Sequence, residues 1–280
     1  MTSPVLSIII PAYNEETLIM STLDCLQSYL SARPESYEMI VIDDGSQDRT
    51  VESVRQLQKN NDLLRLLINP ENRGKGFSIQ RGVQESRGQI IIFTDADLPY
   101  ELDAIDGFLQ ALRNGCDLAV GSRVLPGSEV RGVPMLRYVA GQVFSWMVQV
   151  FLFQGLPDTQ CGFKSFRAEA AKEIFRRVTI GGFGFDVEML FIARKRNYAI
   201  QPVPVHMIEH RQRSRVRLFK DSIEMFANLF LVRWNDLQGK YKEEITDCLL
   251  IIIPSQVTIS IVPCIQGTRC SASGIAASLS

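Results

Sequence analysis

One unit repeats along the first half of this chain: a short, continuous apolar run rich in β-branched residues, a polar loop, then apolar residues at helical spacing. Val5-Leu6-Ser7-Ile8-Ile9-Ile10 opens into Pro11-Ala12-Tyr13-Asn14-Glu15-Glu16, after which Leu18, Leu23, Leu26 and Leu30 mark a helix. Tyr37-Glu38-Met39-Ile40-Val41-Ile42 ends at Asp43-Asp44-Gly45-Ser46, with Ser46 or Asp48 placed to cap the helix that carries Val51, Val54 and Leu57. Leu63 to Ile68 leads into Asn69-Pro70-Glu71-Asn72-Arg73-Gly74-Lys75-Gly76, and Gln89-Ile90-Ile91-Ile92 into Phe93-Thr94-Asp95-Ala96-Asp97. Apolar runs without alternation are buried on both faces, as in a parallel sheet covered by helices. Right-handed crossovers then bring every strand's carboxyl end to one edge, where open α/β sheets bind their ligands. The expected fold is therefore α/β, a doubly wound and mostly parallel sheet, with the quoted loops gathered on one side.

Asp95 and Asp97 stand two apart at the end of the fourth run, so their side chains share a side and can converge on a hard divalent cation together with phosphate oxygens. Such a pair also caps turns, and here Pro99 and a helix through Leu102, Ile105, Phe108, Leu109 and Leu112 follow. Asp117-Leu118-Ala119-Val120-Gly121-Ser122-Arg123 reads as a further short strand that ends at the same edge. Tyr198 to Met207 contains Pro202 and Pro204 and reads as an edge strand. It delivers the run from Glu209 to Arg217, whose alternating arginines fit either an anion or a solvated loop.

Composition narrows the function classes. A net charge of −1 over 280 residues argues against general nucleic-acid binding. Cys25, Cys116, Cys161, Cys248, Cys264 and Cys270 lack metal-site spacing and suggest neither zinc nor a disulfide framework, which points to reduced, cytoplasm-facing surroundings. The run at Val5 reads as a first strand, not a signal. From Arg131 to Phe153 apolar and aromatic residues crowd together, including Trp146. That stretch reads as a core helix or as a helix lying in a membrane interface, with Gln142, Gln149 and Gln154 leaving it short for a span. A second amphipathic helix carries Ile223, Phe226, Phe230 and Trp234. Beyond Asp247 comes an atypical apolar and small-residue tail interrupted by Pro254 and Pro263.

Taken together, Pro11-Ala12-Tyr13-Asn14-Glu15, Val41-Ile42-Asp43-Asp44-Gly45-Ser46, Asn72-Arg73-Gly74-Lys75-Gly76 and Asp95-Ala96-Asp97 resemble the nucleotide-sugar half of family 2 glycosyltransferases with the GT-A fold. Gly121-Ser122-Arg123, Asp158-Thr159-Gln160-Cys161-Gly162-Phe163-Lys164, Phe185-Asp186-Val187-Glu188 and Ser214-Arg215-Val216 resemble the branch that acts on polyprenyl phosphates. The resemblance implies a glycosyltransferase domain over residues 1–236, with a nucleotide-sugar half near 5–125, an acceptor and membrane-facing half near 126–236, and a separate tail at 237–280.

The resemblance also implies roles. Pro11, Tyr13, Glu15, Ile42, Asp44, Lys75, Asp95, Ala96 and Asp97 would hold the nucleotide sugar, an aromatic face and a carboxylate acceptor suiting a uracil ring. Asp95 and Asp97 would place Mg²⁺ or Mn²⁺ on the diphosphate. Arg123, Arg211 and Ser214 would grip the acceptor phosphate. Asp97, Arg123, Asp186 and Arg211 form the expected catalytic set, with Asp186 or Glu188, near where inverting relatives keep a base, expected to orient the sugar hydroxyls or Arg211. The implied reaction is transfer of glucose from UDP-glucose to a polyprenyl phosphate, with inversion, by a membrane-associated enzyme whose site faces the cytoplasm. Leu98-Pro99 stands where mannosyl relatives tend to carry Gln, and Arg213 where the family usually has Gly. The rival readings are a mannosyltransferase using GDP-mannose and a non-catalytic scaffold at the membrane.

Overall fold

A computed structural model of the chain describes residues 3–182, 184–208 and 218–242, with backbone alone for 136–138, 208 and 218–223. In chain order the elements are β1 (Leu6–Ala12), α1 (Ile19–Ser31), β2 (Tyr37–Asp43), α2 (Thr50–Gln58), β3 (Leu64–Ile68), α3 (Lys75–Glu85), β4 (Ile90–Phe93) and α4 (Ala104–Arg113). They continue with β5 (Leu118–Ser122), β6 (Glu129–Arg131), α5 (Met135–Phe151), β7 (Lys164–Arg167), α6 (Ala168–Phe175), α7 (Phe185–Lys195), β8 (Ile200–Pro204), β9 (His206–Ile208) and α8 (Leu218–Leu237).

The central sheet has the order β3-β2-β1-β4-β7-β5-β8. β1 pairs in parallel with β2 and β4, and β2 with β3, so four strands end at one edge. Burial explains the unbroken apolar runs. Ile8 and Ile10 of β1, with Met39 and Val41 of β2, join one hydrophobic cluster, while Ile9, Ile40 and Ile42 join a second on the opposite face. α4 covers the first face with Ile105, Phe108, Leu109 and Leu112, spaced as a helix requires.

Two features depart from a purely parallel sheet. β7 runs antiparallel between β4 and β5. Its four residues, Lys164-Ser165-Phe166-Arg167, include a single apolar side chain and give no apolar run from which a strand could be read. β6 and β9 form a separate two-stranded ribbon. β8 lies at the sheet's outer edge, the place expected from its prolines.

α5 and α8 meet through Phe151, whose ring centroid lies 6.4 Å from that of Phe226 and 6.0 Å from that of Phe230. Both helices leave large apolar side chains in solvent: Met135, Val139, Val143, Trp146 and Val150 on α5, and Phe230, Leu231, Trp234 and Leu237 on α8. Among the described residues no helix is long and apolar enough to cross a membrane. The tail beyond Lys242 lies outside the described residues.

Candidate active site

The loops that leave β1 and β2 clasp one another. Asn14 stands in the left-handed region at φ 52°, and its backbone N–H donates to Ser46 Oγ at 2.8 Å while its side-chain oxygen accepts Gln47 N–H at 2.8 Å. Glu15 N–H donates to Thr50 Oγ1 at 2.7 Å, and Asp48 receives the N–H groups of Glu16 and Thr50. Asp48 therefore serves the start of α2, and Ser46 serves the neighbouring loop instead. This clasp fixes Tyr13 and the buried Glu15 just beyond the carboxyl end of β1, in which Pro11 lies.

Asp44 is buried and binds the next loop. Its carboxylate accepts Asn69 Nδ2 at 2.7 Å, Arg73 N–H at 3.1 Å and Gly74 N–H at 2.8 Å. The approach is so close that a Cβ on Gly74, already at φ 94°, would lie 2.4 Å from the Gly181 carbonyl oxygen. Ile42 is fully buried against Gly82 of α3, so its side chain belongs to the core.

Lys75, the first residue of α3, reaches Asp95 Oδ1 at 2.5 Å. Burial disfavours its ammonium, but the carboxylates of Asp95, Asp186 and Asp97 outweigh that and raise its pKa above the ordinary lysine value. The turn that carries the two aspartates is tied down by Thr22 of α1, whose hydroxyl donates to the Ala96 carbonyl at 2.6 Å, and Leu98 takes φ 43° to complete it. Gly162 closes over Asp95: a Cβ there would sit 2.3 Å from Asp95 Oδ2 and 3.2 Å from Lys75 Nζ.

Asp186 enters from the first turn of α7 and pairs with Lys164 of β7 at 2.5 Å, both side chains being buried. Lys164 Nζ also donates to the Cys161 carbonyl. Three aspartates and two lysines thus share one region. Asp95 and Asp97 both retain partial exposure, and their carboxylate oxygens are the kind of donor a hard divalent cation takes.

Arg123 follows β5 and meets Asp158 in a two-pronged pair, Nε to Oδ2 at 2.7 Å and Nη2 to Oδ1 at 2.9 Å. Burial alone would raise the Asp158 carboxyl. The Arg123 charge and hydrogen bonds outweigh it and hold the carboxyl below its usual range. Tyr100 Oη accepts Gly162 N–H at 3.0 Å and its ring stacks on Phe163, so the 158–163 segment bridges the Arg123 pair and the Asp95 turn. Burial pushes the Cys161 thiol up to about 11, which leaves it an inert packing group.

The structure thus brings Tyr13, Glu15, Asp44, Lys75, Asp95, Ala96, Asp97, Arg123 and Asp186 to one edge of the sheet. Arg211 and Ser214 lie outside the described residues. Lys164, Asn69 and Asp158 were assigned no role from sequence. The available signal for Lys164 was its position as the one charge between Cys161 and Phe166, because a lysine on a buried strand demands a counter-charge.

Comparison with known proteins agrees with this architecture. Residues 7–175 match the family described as Glycosyl transferase family 2. The chain is 34% identical over 85% of its length to dolichyl-phosphate beta-glucosyltransferase of Dictyostelium discoideum, covering 76% of that protein. It is 32% identical over 86% of its length to the enzyme of that name from Homo sapiens, covering 78% of it. Among solved structures, glucosyl-3-phosphoglycerate synthase from Mycobacterium tuberculosis, in complex with Mn²⁺, UDP and glucosyl-3-phosphoglycerate, superposes with a TM-score of 0.62. That likeness is at 20% identity and covers 82% of this chain and 80% of the other, and it bears on the fold alone. With the GT-A architecture in place and more than half of its length matched, this chain belongs to glycosyltransferase family 2.

Proposed function

We propose that this hexosyltransferase moves glucose from UDP-glucose to a dolichyl-type polyprenyl phosphate, inverting the sugar's C1, with Mg²⁺ or Mn²⁺ at the donor diphosphate. The observation that carries the reading is the convergence of Asp95, Asp97 and Asp186 around Lys75, beside the 72–76 loop held by Asp44. The named relatives support the choice of glucose and of a lipid-linked phosphate.

Within this reading Asp95 and Asp97 hold the cation, which when bound neutralises charge on the departing nucleoside diphosphate. Lys75 adds a fixed positive charge beside the same diphosphate. Tyr13 and Glu15 face the base. Arg123, oriented by Asp158, receives the acceptor phosphate together with Arg211 and Ser214. A phosphate oxygen is already largely ionised near neutral pH, so attack on C1 needs no strong general base. Asp186, held by Lys164, therefore orients sugar hydroxyls and does not have to take a proton.

The lipid acceptor calls for a surface on which to meet it. Trp146 and Trp234, the two tryptophans of the chain, are 63% and 60% exposed on the adjoining helices α5 and α8. Their apolar faces fit a membrane interface, with the cleft on the cytoplasmic side.

The test is transfer of radiolabelled glucose from UDP-glucose, in vesicles containing dolichyl phosphate, into an organic-extractable and mild-acid-labile product. Label should appear with Mg²⁺ or Mn²⁺ and vanish with EDTA. Incorporation of mannose from GDP-mannose in place of glucose would overturn the donor assignment.

A further inference from the structure

Glu188 is the fourth residue of α7 and is fully buried, yet no basic side chain pairs with it among the described residues. Its charge is met by donors alone. Oε2 accepts the N–H groups of Thr179 and Ile180, both at 2.8 Å, and Oε1 accepts Thr179 Oγ1 at 2.7 Å and Tyr241 Oη at 2.6 Å. The positive end of α7's own dipole adds to this. Tyr241 closes the end of α8 and is itself buried against Phe191, while Asn235 of α8 donates to Thr179 Oγ1 at 3.0 Å.

The residue after the bound turn is Gly181, and its carbonyl receives the backbone N–H groups of Gly76 at 2.7 Å and Phe77 at 3.3 Å. Those amides belong to the first turn of α3, which begins with Lys75. A Cβ on Gly76 would lie 2.6 Å from the Ile180 carbonyl oxygen, so the two segments cannot shift independently.

We propose that Glu188 is a positioning residue for the 72–77 diphosphate loop, and that through Tyr241 the same carboxylate couples that loop to α8. The proposal rests on the donor-site reading above. A displacement of α8 at its apolar face would reach Gly181 through Tyr241 and Thr179, and from there the amides that open α3 and the Lys75–Asp95 pair.

The test is amide hydrogen exchange at Gly76 and Phe77 in the full-length protein without nucleotide, followed by calorimetric titration with UDP and Mn²⁺. E188A should speed exchange at these amides roughly tenfold or more and weaken UDP binding by a similar factor. E188Q should restore most of the protection. Its carbonyl can accept the two backbone N–H groups, while the Thr179 and Tyr241 hydroxyls reverse roles to accept from its amide. Y241F, which removes one donor and leaves the turn intact, should give about a threefold effect and covers the case in which E188A does not fold.

E38A removes a buried carboxylate at the opposite end of the sheet. It should lower Tm and leave exchange at Gly76 and Phe77 unchanged. Unaltered exchange in both E188A and Y241F, or equal acceleration in E38A, overturns the proposal. A wild-type protein that fails to bind UDP overturns the donor reading, while the exchange data still decide the role of Glu188.

Discussion

The two ends of the central sheet handle buried charge in opposite ways. At the amino ends of the strands, Glu38 accepts Ser7 Oγ at 2.7 Å, Arg87 N–H at 2.7 Å and Arg65 Nη1 at 2.9 Å, and Ser7 in turn accepts Gly88 N–H. Each Glu38 oxygen there has a donor, and Arg65, which also lies 3.6 Å from the Glu85 carboxylate, supplies the neutralising charge. At the carboxyl ends, Asp95, Asp97 and Asp186 face Lys75 and Lys164, and Asp95 and Asp97 remain partly exposed. The first arrangement is finished by folding. The second is held in place by folding and leaves two of its carboxylates, Asp95 and Asp97, partly exposed.

Substitutions at the two ends should separate activity from stability. The largest effect is expected from D97N, which removes a charge proposed to face the cation while keeping side-chain shape. Transfer should fall by roughly 10²-fold or more with little change in Tm, and turnover that survives would remove Asp97 from the site. K164A comes next, because it strands Asp186 as an unpaired buried carboxylate. Denaturant unfolding should show a loss of about 3–5 kcal/mol, and a smaller loss for K164M with D186L together would show that the pair matters for position more than for stability.

E38A should cost about 1–3 kcal/mol through the donors it leaves unmatched, with KM for the donor unchanged. A shift in KM would mean that the two ends are not independent. The smallest effect is the pH dependence of D158N. Since Arg123 holds the folded Asp158 carboxyl below its ordinary range, the ionised form favours folding above that range, and the contribution fades as pH falls through the lowered pKa. D158N lacks this contribution, so its stability should decline less steeply below about pH 4 than that of the wild type, as read from Tm across an acid series.

Much of this comparison was legible beforehand. The apolar runs of β1, β2 and β4 announced strands buried on both faces, and the loops after them carried Tyr13, Asp44, Asp95 and Asp97, as the loop after β3 carried Lys75, to the edge where they are found. β7 was not legible, because four residues with one apolar side chain have no periodicity that separates them from a loop. With it went the meaning of Lys164, whose partner Asp186 is 22 residues away. Asp158 and Glu188 lay in recognisable segments, but neither segment says which donors a carboxylate will meet.

The sequence by itself determined the layered α/β architecture and the edge at which its chemistry lies, since both follow from local patterns: uninterrupted apolar runs, helical spacing and the fixed hand of the crossover. Only the tertiary structure decided which carboxylates are buried among loop donors and which keep some exposure. Asp44 and Glu188 are buried and accept backbone and side-chain donors from other segments, whereas Asp95 and Asp97 stay partly exposed. Such burial depends on what packs against a side chain in space, and neighbouring residues in the chain do not encode it.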